Sequence, residues 1–175
     1  MSNHGNLVIA NQFHPDPYIQ SQIAERSLNA AIVRADIKRG YEEYLELFDE
    51  FYVDDIEVSS EGLKEPLHGN ERVRSLLSSF LVPLHIMAEV GGVSISIREE
   101  GIAGDAIDET HSEWTLELVG GSGNVCTVNW RILRKWNGSR VVLEHHYDHR
   151  QSGEPLADGD LRFGASELPI VSWKR

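Results

Sequence analysis

The strongest pattern of apolar and polar positions lies over residues 125–149, where VCTVNWRILRKW and RVVLEHHYDH, both rich in β-branched and aromatic side chains, flank Asn137-Gly138-Ser139. An Asn-Gly pair between two such runs predicts an antiparallel hairpin. Strand side chains alternate sides, so the face that carries Val141 and Leu143 continues as His145, Tyr147 and His149. An apolar wall thus turns polar near one end, the pattern of a core opening into a polar-tipped pocket. Upstream, residues 93–97 alternate, and residues 106–118 make a longer run with Trp114, Leu116 and Leu118 on one face. The GGSG of residues 120–123 turns the chain into the hairpin.

The first half of the chain reads as helix. From about residue 18 to residue 39 the apolar positions follow a helical spacing, and Leu28, Ile32 and Asp36 fall at i, i+4 and i+8, on one side. Asp36 therefore stands at the end of an apolar row. Gly40 closes this helix, and residues 41–51 give a second one with Leu45, Phe48 and Tyr52 inward. Asp54-Asp55 breaks it before a short strand at residues 56–58, and residues 59–69 (SSEGLKEPLHG) form a loop. Asn70 caps a third helix over about residues 71–82, which Pro83 is expected to end; from there on, everything reads as strand. Residues 1–17 are a polar arm, residues 18–150 the single domain, and residues 151–175 a tail in which 168–173 could dock as one more strand. Helices followed by long antiparallel strands make an α+β layer, with three helices covering one face of a strongly curved antiparallel sheet. Val125 and Leu133 put apolar area on the opposite face too, and a homodimer formed sheet to sheet would cover it.

A chain of 175 residues supports one core without staples. Its single cysteine, Cys126, lies inside a strand, which suits a reducing compartment. Leu7-Val8-Ile9-Ala10 is too short for a signal-peptide core and no stretch is long enough to span a bilayer, so a cytoplasmic protein is expected. The net charge of -12 repels nucleic-acid phosphates and anionic lipid, so neither is an expected partner; the polar-tipped pocket points instead to a small-molecule ligand.

Several pieces, in order, carry a family likeness: LFDEFYVDDIEV after the second helix, EPLHG, PLH, SEWTLEL and the closing LEHHYDH. Together they resemble the SnoaL-like branch of the NTF2-like superfamily over about residues 20–150. The resemblance implies a cone-shaped α+β fold, shared by ketosteroid isomerase, scytalone dehydratase, bile-acid dehydratase and polyketide cyclases. The two acids of the isomerases would fall at Ser60 and near Ile132, so that activity does not carry over. For the dehydratase-like members the resemblance implies roles for Asp36 at the end of the first helix, His85 entering the sheet, Trp114 in its middle and a polar residue near His149. Ala31 and Ala35 occupy the places of their tyrosine, so a hydrogen-bond donor must come from Tyr52 or Tyr147.

His85 sits among Pro83, Leu84, Ile86 and Met87, where an imidazole is costly unless both ring nitrogens find partners. It is either a structural histidine bonded to a backbone carbonyl or a general acid–base group oriented by Asp36. His145, Tyr147 and His149 line a pocket or cover its mouth; a metal site is not expected, for lack of HExxH or cysteine-rich spacing. Trp114 and Trp130 are core residues or pocket walls. The expected function is cofactor-independent acid–base chemistry of the isomerase, cyclase or dehydratase type on a mostly apolar small molecule bearing a carbonyl or hydroxyl. His85, Asp36 and Tyr147 would carry the chemistry, and Tyr52, Trp114, Trp130, His145 and His149 would contact the ligand. The alternative is a non-catalytic ligand-binding or dimerisation module of the same fold.

Overall fold

A computed structural model describes residues 14–156. The expected N-terminal arm up to residue 13 and the possible strand at 168–173 lie outside the described residues. Helix α1 (Pro17–Arg34) opens on Asp16, whose Oδ1 accepts from the Tyr18 N–H at 3.0 Å, with Pro17 in the first turn. It stops five residues short of the expected end. Asp36 accepts from the Lys38 N–H at 3.1 Å, a side-chain turn that competes with the helix and takes the chain out of it. Helix α2 (Glu42–Phe51) buries Phe48 and Phe51 and passes directly into β1 (Tyr52–Ser60), which extends well to either side of the short strand expected.

After β2 (Leu67–His68), α3 (Asn70–Glu89) runs straight through Pro83, where the sequence had suggested a stop and the start of a strand. A proline inside a helix costs about 3 kcal/mol, through a lost N–H and a clash with the carbonyl one turn back. The residues beyond it reverse the balance. Leu84, Met87 and Ala88 are buried, and burying a leucine or methionine side chain is worth about 1.5–3 kcal/mol each. Tertiary packing therefore carries the helix past the break. His85, expected on an entering strand, rides on this last stretch of helix.

Strands β3 (Ser94–Ala106), β4 (Glu109–Val119), β5 (Val125–Asn137) and β6 (Arg140–Gly153) complete a six-stranded sheet in the order β2-β1-β6-β5-β4-β3. The expected hairpin is present: Asn137 faces Arg140 across Gly138-Ser139, and Gly138 has φ 64°, a conformation the tight turn requires. The sheet is not wholly antiparallel as expected, because β1 lies parallel to β6 and makes it mixed. It is curled and unclosed, with three helices, and so belongs to the α+β class. Among the described residues no helix is long and apolar enough to cross a membrane.

Two register shifts between β5 and β6 decide which side chains face inward. Trp136 pairs with Val141 but Lys135 pairs with Leu143, so Val142 is an extra residue; Arg131 pairs with Tyr147 but Asn129 with Arg150, so Asp148 and His149 together oppose Trp130. Each bulge reverses the alternation. The concave face of β6 thus carries Val141, then Glu144 and His146, then His149, whereas uninterrupted alternation would have put Val141, Leu143, His145, Tyr147 and His149 on one side.

Replacing Pro83 by alanine restores the missing N–H on a stretch whose packing already holds it helical. The urea midpoint is expected to rise, by an amount equivalent to about 1–3 kcal/mol; a fall would show that the proline ring itself packs usefully.

Candidate functional site

Between the helices and the concave face lies a cavity of about 360 Å³. Its walls are almost wholly apolar: Leu28 and Ile32 from α1, Phe48 from α2, Leu77 and Phe80 from α3, and the near-parallel Trp114 and Trp130, whose ring centres are 6.1 Å apart. Polar groups gather where β1, β5 and β6 meet, namely Ser60, Tyr52, Arg134, Glu144, His146 and His149. Such a hollow, greasy with a few converging polar groups, is the usual form of a small-molecule site.

Arg134 is the hub of the polar end, 1% exposed although it sits on the inward face of β5 between Ile132 and Trp136. Its Nη1 donates to Glu25 Oε1 and to Asn29 Oδ1, each at 2.8 Å, and its Nε donates to Glu144 Oε2 at 2.7 Å. Glu25 and Asn29 come from the buried face of α1, where Asn29 donates to Glu25 at 2.9 Å. The other Glu25 oxygen accepts from Thr110 Oγ1 at 2.8 Å, and Thr110 accepts in turn from the Trp136 indole at 2.8 Å. Glu144 also accepts from the Tyr52 hydroxyl, and its Oε1 accepts from His146 Nε2 at 2.6 Å. Every charged oxygen in this buried cluster has a donor, which is the condition for burying it at all.

Electrostatics fix the protonation of these groups. Burial alone would raise the Glu144 carboxyl, but the charge of Arg134, together with His146 and the hydrogen bonds, holds it far below the ordinary carboxylate range. Burial, reinforced by Glu144, pushes the Tyr52 hydroxyl well above its ordinary value against the opposing pull of Arg134, so it remains a donor. Burial would weaken the Arg134 cation, yet Glu25, Tyr52 and Glu144 raise it instead. An ionised Glu144 accepts from His146 Nε2, so that nitrogen carries the hydrogen and Nδ1 carries the lone pair. Among the described residues Nδ1 has no hydrogen-bond partner.

The sequence-derived candidates divide into two groups. Tyr52, Trp114, Trp130 and His149 line the cavity. Asp36 and His85 do not line it and do not meet. His85 Nδ1 donates to the Ile37 carbonyl at 2.7 Å and its Nε2 lies 3.1 Å from Glu89 Oε2, while Asp36 turns to Lys38 and Arg39. His85 pins the α1–α2 connection to α3, and the expected dyad is absent because α1 ends before Asp36 and α3 continues past Pro83. His145 and Tyr147 lie on the convex face, stacked with centroids 5.7 Å apart. There His145 bonds Ser59 at 2.8 Å and the Tyr147 hydroxyl meets His111 at 3.0 Å. Tyr52 reaches the cavity, but its hydroxyl is committed to Glu144. Among the described residues no group of three histidine, cysteine or carboxylate side chains is disposed to hold a metal ion.

Glu25, Arg134, Glu144 and His146 did not stand out in the sequence, yet two signals were there. Arg134 is the one charged residue at the even positions 126–136, otherwise Cys, Val, Trp, Ile and Trp. Ser21, Glu25, Leu28 and Ile32 share a helical stripe, so a helix burying Leu28 also buries Glu25.

Comparison with solved structures places this arrangement in a known fold. A protein from Jannaschia sp. described as a SnoaL-like polyketide cyclase superposes with a TM-score of 0.55 at 12% identity, over 77% of this chain and 88% of that one. Bal32a, from a soil-derived mobile gene cassette, gives 0.53 at 13% identity over 75% and 90%. A protein from Pseudomonas putida described as a polyketide cyclase gives 0.51 at 10% identity over 73% and 90%. No family model and no curated protein matches the chain. The likeness is one of fold: the chain has the curled-sheet α+β fold of these SnoaL-like and NTF2-like neighbours.

Arg134→Met leaves two buried carboxylates facing each other without their cation. It is expected to cost about 3–5 kcal/mol in urea unfolding, and an unchanged midpoint would show that the cluster is hydrated. Glu144 titrates lower folded than unfolded, so the stability it adds is present above the unfolded value of 4.5 and is lost as pH falls toward its folded value. Stability of the wild type should therefore decline below about pH 4.5, and Glu144→Gln, less stable at neutral pH, should show a shallower decline.

Proposed function

We propose that the cavity holds the body of a mostly apolar small molecule and that His146 exchanges a proton with its carbonyl or hydroxyl end, in chemistry of the isomerase, cyclase or dehydratase type. One observation carries this reading: an imidazole at the polar end of an apolar cavity is held through Nε2, at 2.6 Å, by a buried carboxylate. Glu144 fixes the tautomer and ring plane, so Nδ1 is the nitrogen that meets a ligand. When Nδ1 takes a proton, the imidazolium lies against an anion already in place, and no solvent need reorganise. Arg134 and Tyr52 act one step back. By donating to Glu144 they keep it ionised, so that it attracts the imidazolium charge without taking the proton itself.

The apolar walls supply binding and exclude water, which strengthens every charge interaction at the polar end. Trp114 and Trp130 offer flat faces to a planar ligand and also report on its arrival, since indole fluorescence responds to a stacked ring.

A suitable probe is the ketol formed from benzaldehyde and acetone, whose loss of water to the conjugated enone is followed by absorbance. The wild type is expected to accelerate this reaction, and His146→Gln to lower kcat/KM by at least about 100-fold with the urea midpoint and ketol quenching of tryptophan fluorescence retained. Equal turnover by the variant would remove His146 from the chemistry. Binding of the ketol by the wild type without turnover would favour a ligand-binding module.

A further inference from the structure

A guanidinium carries five N–H groups, and three of those on Arg134 hold the polar cluster together. Nε donates to Glu144, and Nη1 divides its two hydrogens between Glu25 and Asn29. Nη2 has no hydrogen-bond partner among the described residues. It is not sealed into the core either. Among the described residues, the one buried side-chain nitrogen or oxygen closed off without a partner is Gln22 Nε2. Nη2 therefore meets open space, and the space that Arg134 lines is the cavity. Neighbouring donors are already engaged: the Tyr52 hydroxyl on Glu144, the Thr110 hydroxyl on Glu25 and the Trp136 indole on Thr110. An ion pair alone does not require this extra nitrogen. A lysine has three N–H groups, enough for Glu25, Asn29 and Glu144, whereas the arginine has two more to offer.

We propose that Arg134 is itself a catalytic residue: Nη2 donates to the ligand's carbonyl oxygen and stabilises the negative charge that gathers there when His146 removes a hydrogen from the neighbouring carbon. The proposal rests on the role given to His146 above, and it narrows the ligand to a ketone with a hydrogen on the carbon next to the carbonyl. Nη2 gives a hydrogen, and the lone pair on His146 Nδ1 takes one. Both groups are bonded to Glu144, Arg134 Nε on Oε2 and His146 Nε2 on Oε1, so one carboxylate fixes them relative to each other. The three bonds made by Nε and Nη1 also fix the guanidinium plane. Nη2 is thus aimed before a ligand arrives, and nothing need turn as charge develops. An anionic ligand would approach two carboxylates with one guanidinium between them, which favours a neutral carbonyl over a carboxylate. What Nη2 offers it is a fixed, charge-assisted donor in a largely apolar wall.

The step balances for a ketone. His146 Nδ1 takes the hydrogen on the carbon next to the carbonyl, the C–H electron pair becomes a C=C bond, and the π pair of the carbonyl moves onto the oxygen bonded by Nη2. Return of that proton from Nδ1 to the same carbon regenerates the ketone, and its return to a more distant carbon of a conjugated chain gives an isomer. No oxidant or further reactant is needed. In heavy water the imidazolium exchanges its proton with solvent, so the carbon acquires deuterium.

The probe is 4-phenylbutan-2-one, a neutral ketone with an aromatic ring for the apolar walls, labelled with carbon-13 at the carbonyl. Bound to the wild type, its C=O infrared stretch is expected to lie below the value in hexane by at least as much as it does in water. A bound stretch at the hexane value would overturn the proposal without recourse to any variant, which keeps it testable if Arg134→Lys does not fold. Exchange of the hydrogens beside the carbonyl in heavy water, followed by proton NMR, reads the chemistry. Arg134→Lys keeps the charge but gives up Nη2, and is expected to lower exchange by at least about 100-fold and to return the bound stretch toward the hexane value. A folded Arg134→Lys that matches the wild type in both would assign the bond to another donor and overturn the proposal. His146→Gln should lose the exchange and keep the lowered stretch. Exchange that survives in His146→Gln would remove the reading on which the proposal rests, whereas a hexane-like stretch with exchange that still depends on His146 would overturn the role of Arg134 alone. A ketone that neither quenches tryptophan fluorescence nor exchanges would overturn both.

Discussion

The guanidinium of Arg134, held between Glu25 of α1 and Glu144 of β6, is the contact on which the arrangement depends. It joins the first helix to the centre of the sheet across the end of the cavity, and Asn29, Thr110, Tyr52 and His146 each bond to one of these three groups. The cluster contains two carboxylates and one guanidinium, and buried ion pairs of this kind are seldom the most stable filling for their volume. Apolar side chains of similar size would pack there at no desolvation cost. What they could not supply is a rigid, ionised carboxylate in contact with His146. The chain therefore accepts an expensive core element, and the property gained is an anion whose position and charge are independent of solvent.

The second constraint is the alternation of β6. A regular strand paired with β5 would carry one set of side chains inward from end to end, and that set would include either Val141 or Glu144, but not both. The bulge at Val142 allows the same concave face to be apolar at the hairpin, where Val141 packs with Trp136, and polar one step later, where Glu144 meets Arg134. The bulge at Asp148 shifts the alternation again beyond His146 and puts His149 on the concave face. The two insertions thus keep the concave face of β6 polar from Glu144 to His149 next to the apolar hairpin end, and neither needs a change of residue type elsewhere in the sheet.

Much of the fold was legible in the sequence because the signals were local. The Gly138 turn, the alternation in β4 and β5 and the amphipathic α2 each follow from a few neighbouring residues. Legibility failed where a long-range term overruled the local one. Pro83 is a strong local stop, and only the burial of Met87 and Leu84 against the sheet explains why α3 ignores it. The same failure moved the candidate site, since His85 was sought at a strand entrance and stands instead on a helix. For β6 the error was one of parity: periodicity assumes no inserted residue, and the sequence carries little that marks Val142 or Asp148 as one. Arg134 could have been suspected from its place in an apolar row, but its partners lie on α1 and β6, at distances in sequence that no periodicity reports.

These two constraints together determine how the β1–β2 connection joins the cavity lining. The β1–β2 connection contributes Gly62 and Leu63 to the lining, and Glu61 beside them is tied to β6 twice, through its N–H to the His146 carbonyl at 3.2 Å and through its carboxylate to His149. That connection would otherwise be a surface loop whose position relative to the polar end is free to vary. These contacts fix it to the strand that presents both imidazoles, and β6 is held in turn by Glu144 on Arg134. Gly62 and Leu63 of the lining and the imidazoles of His146 and His149 are therefore linked, through β6, to the same buried guanidinium.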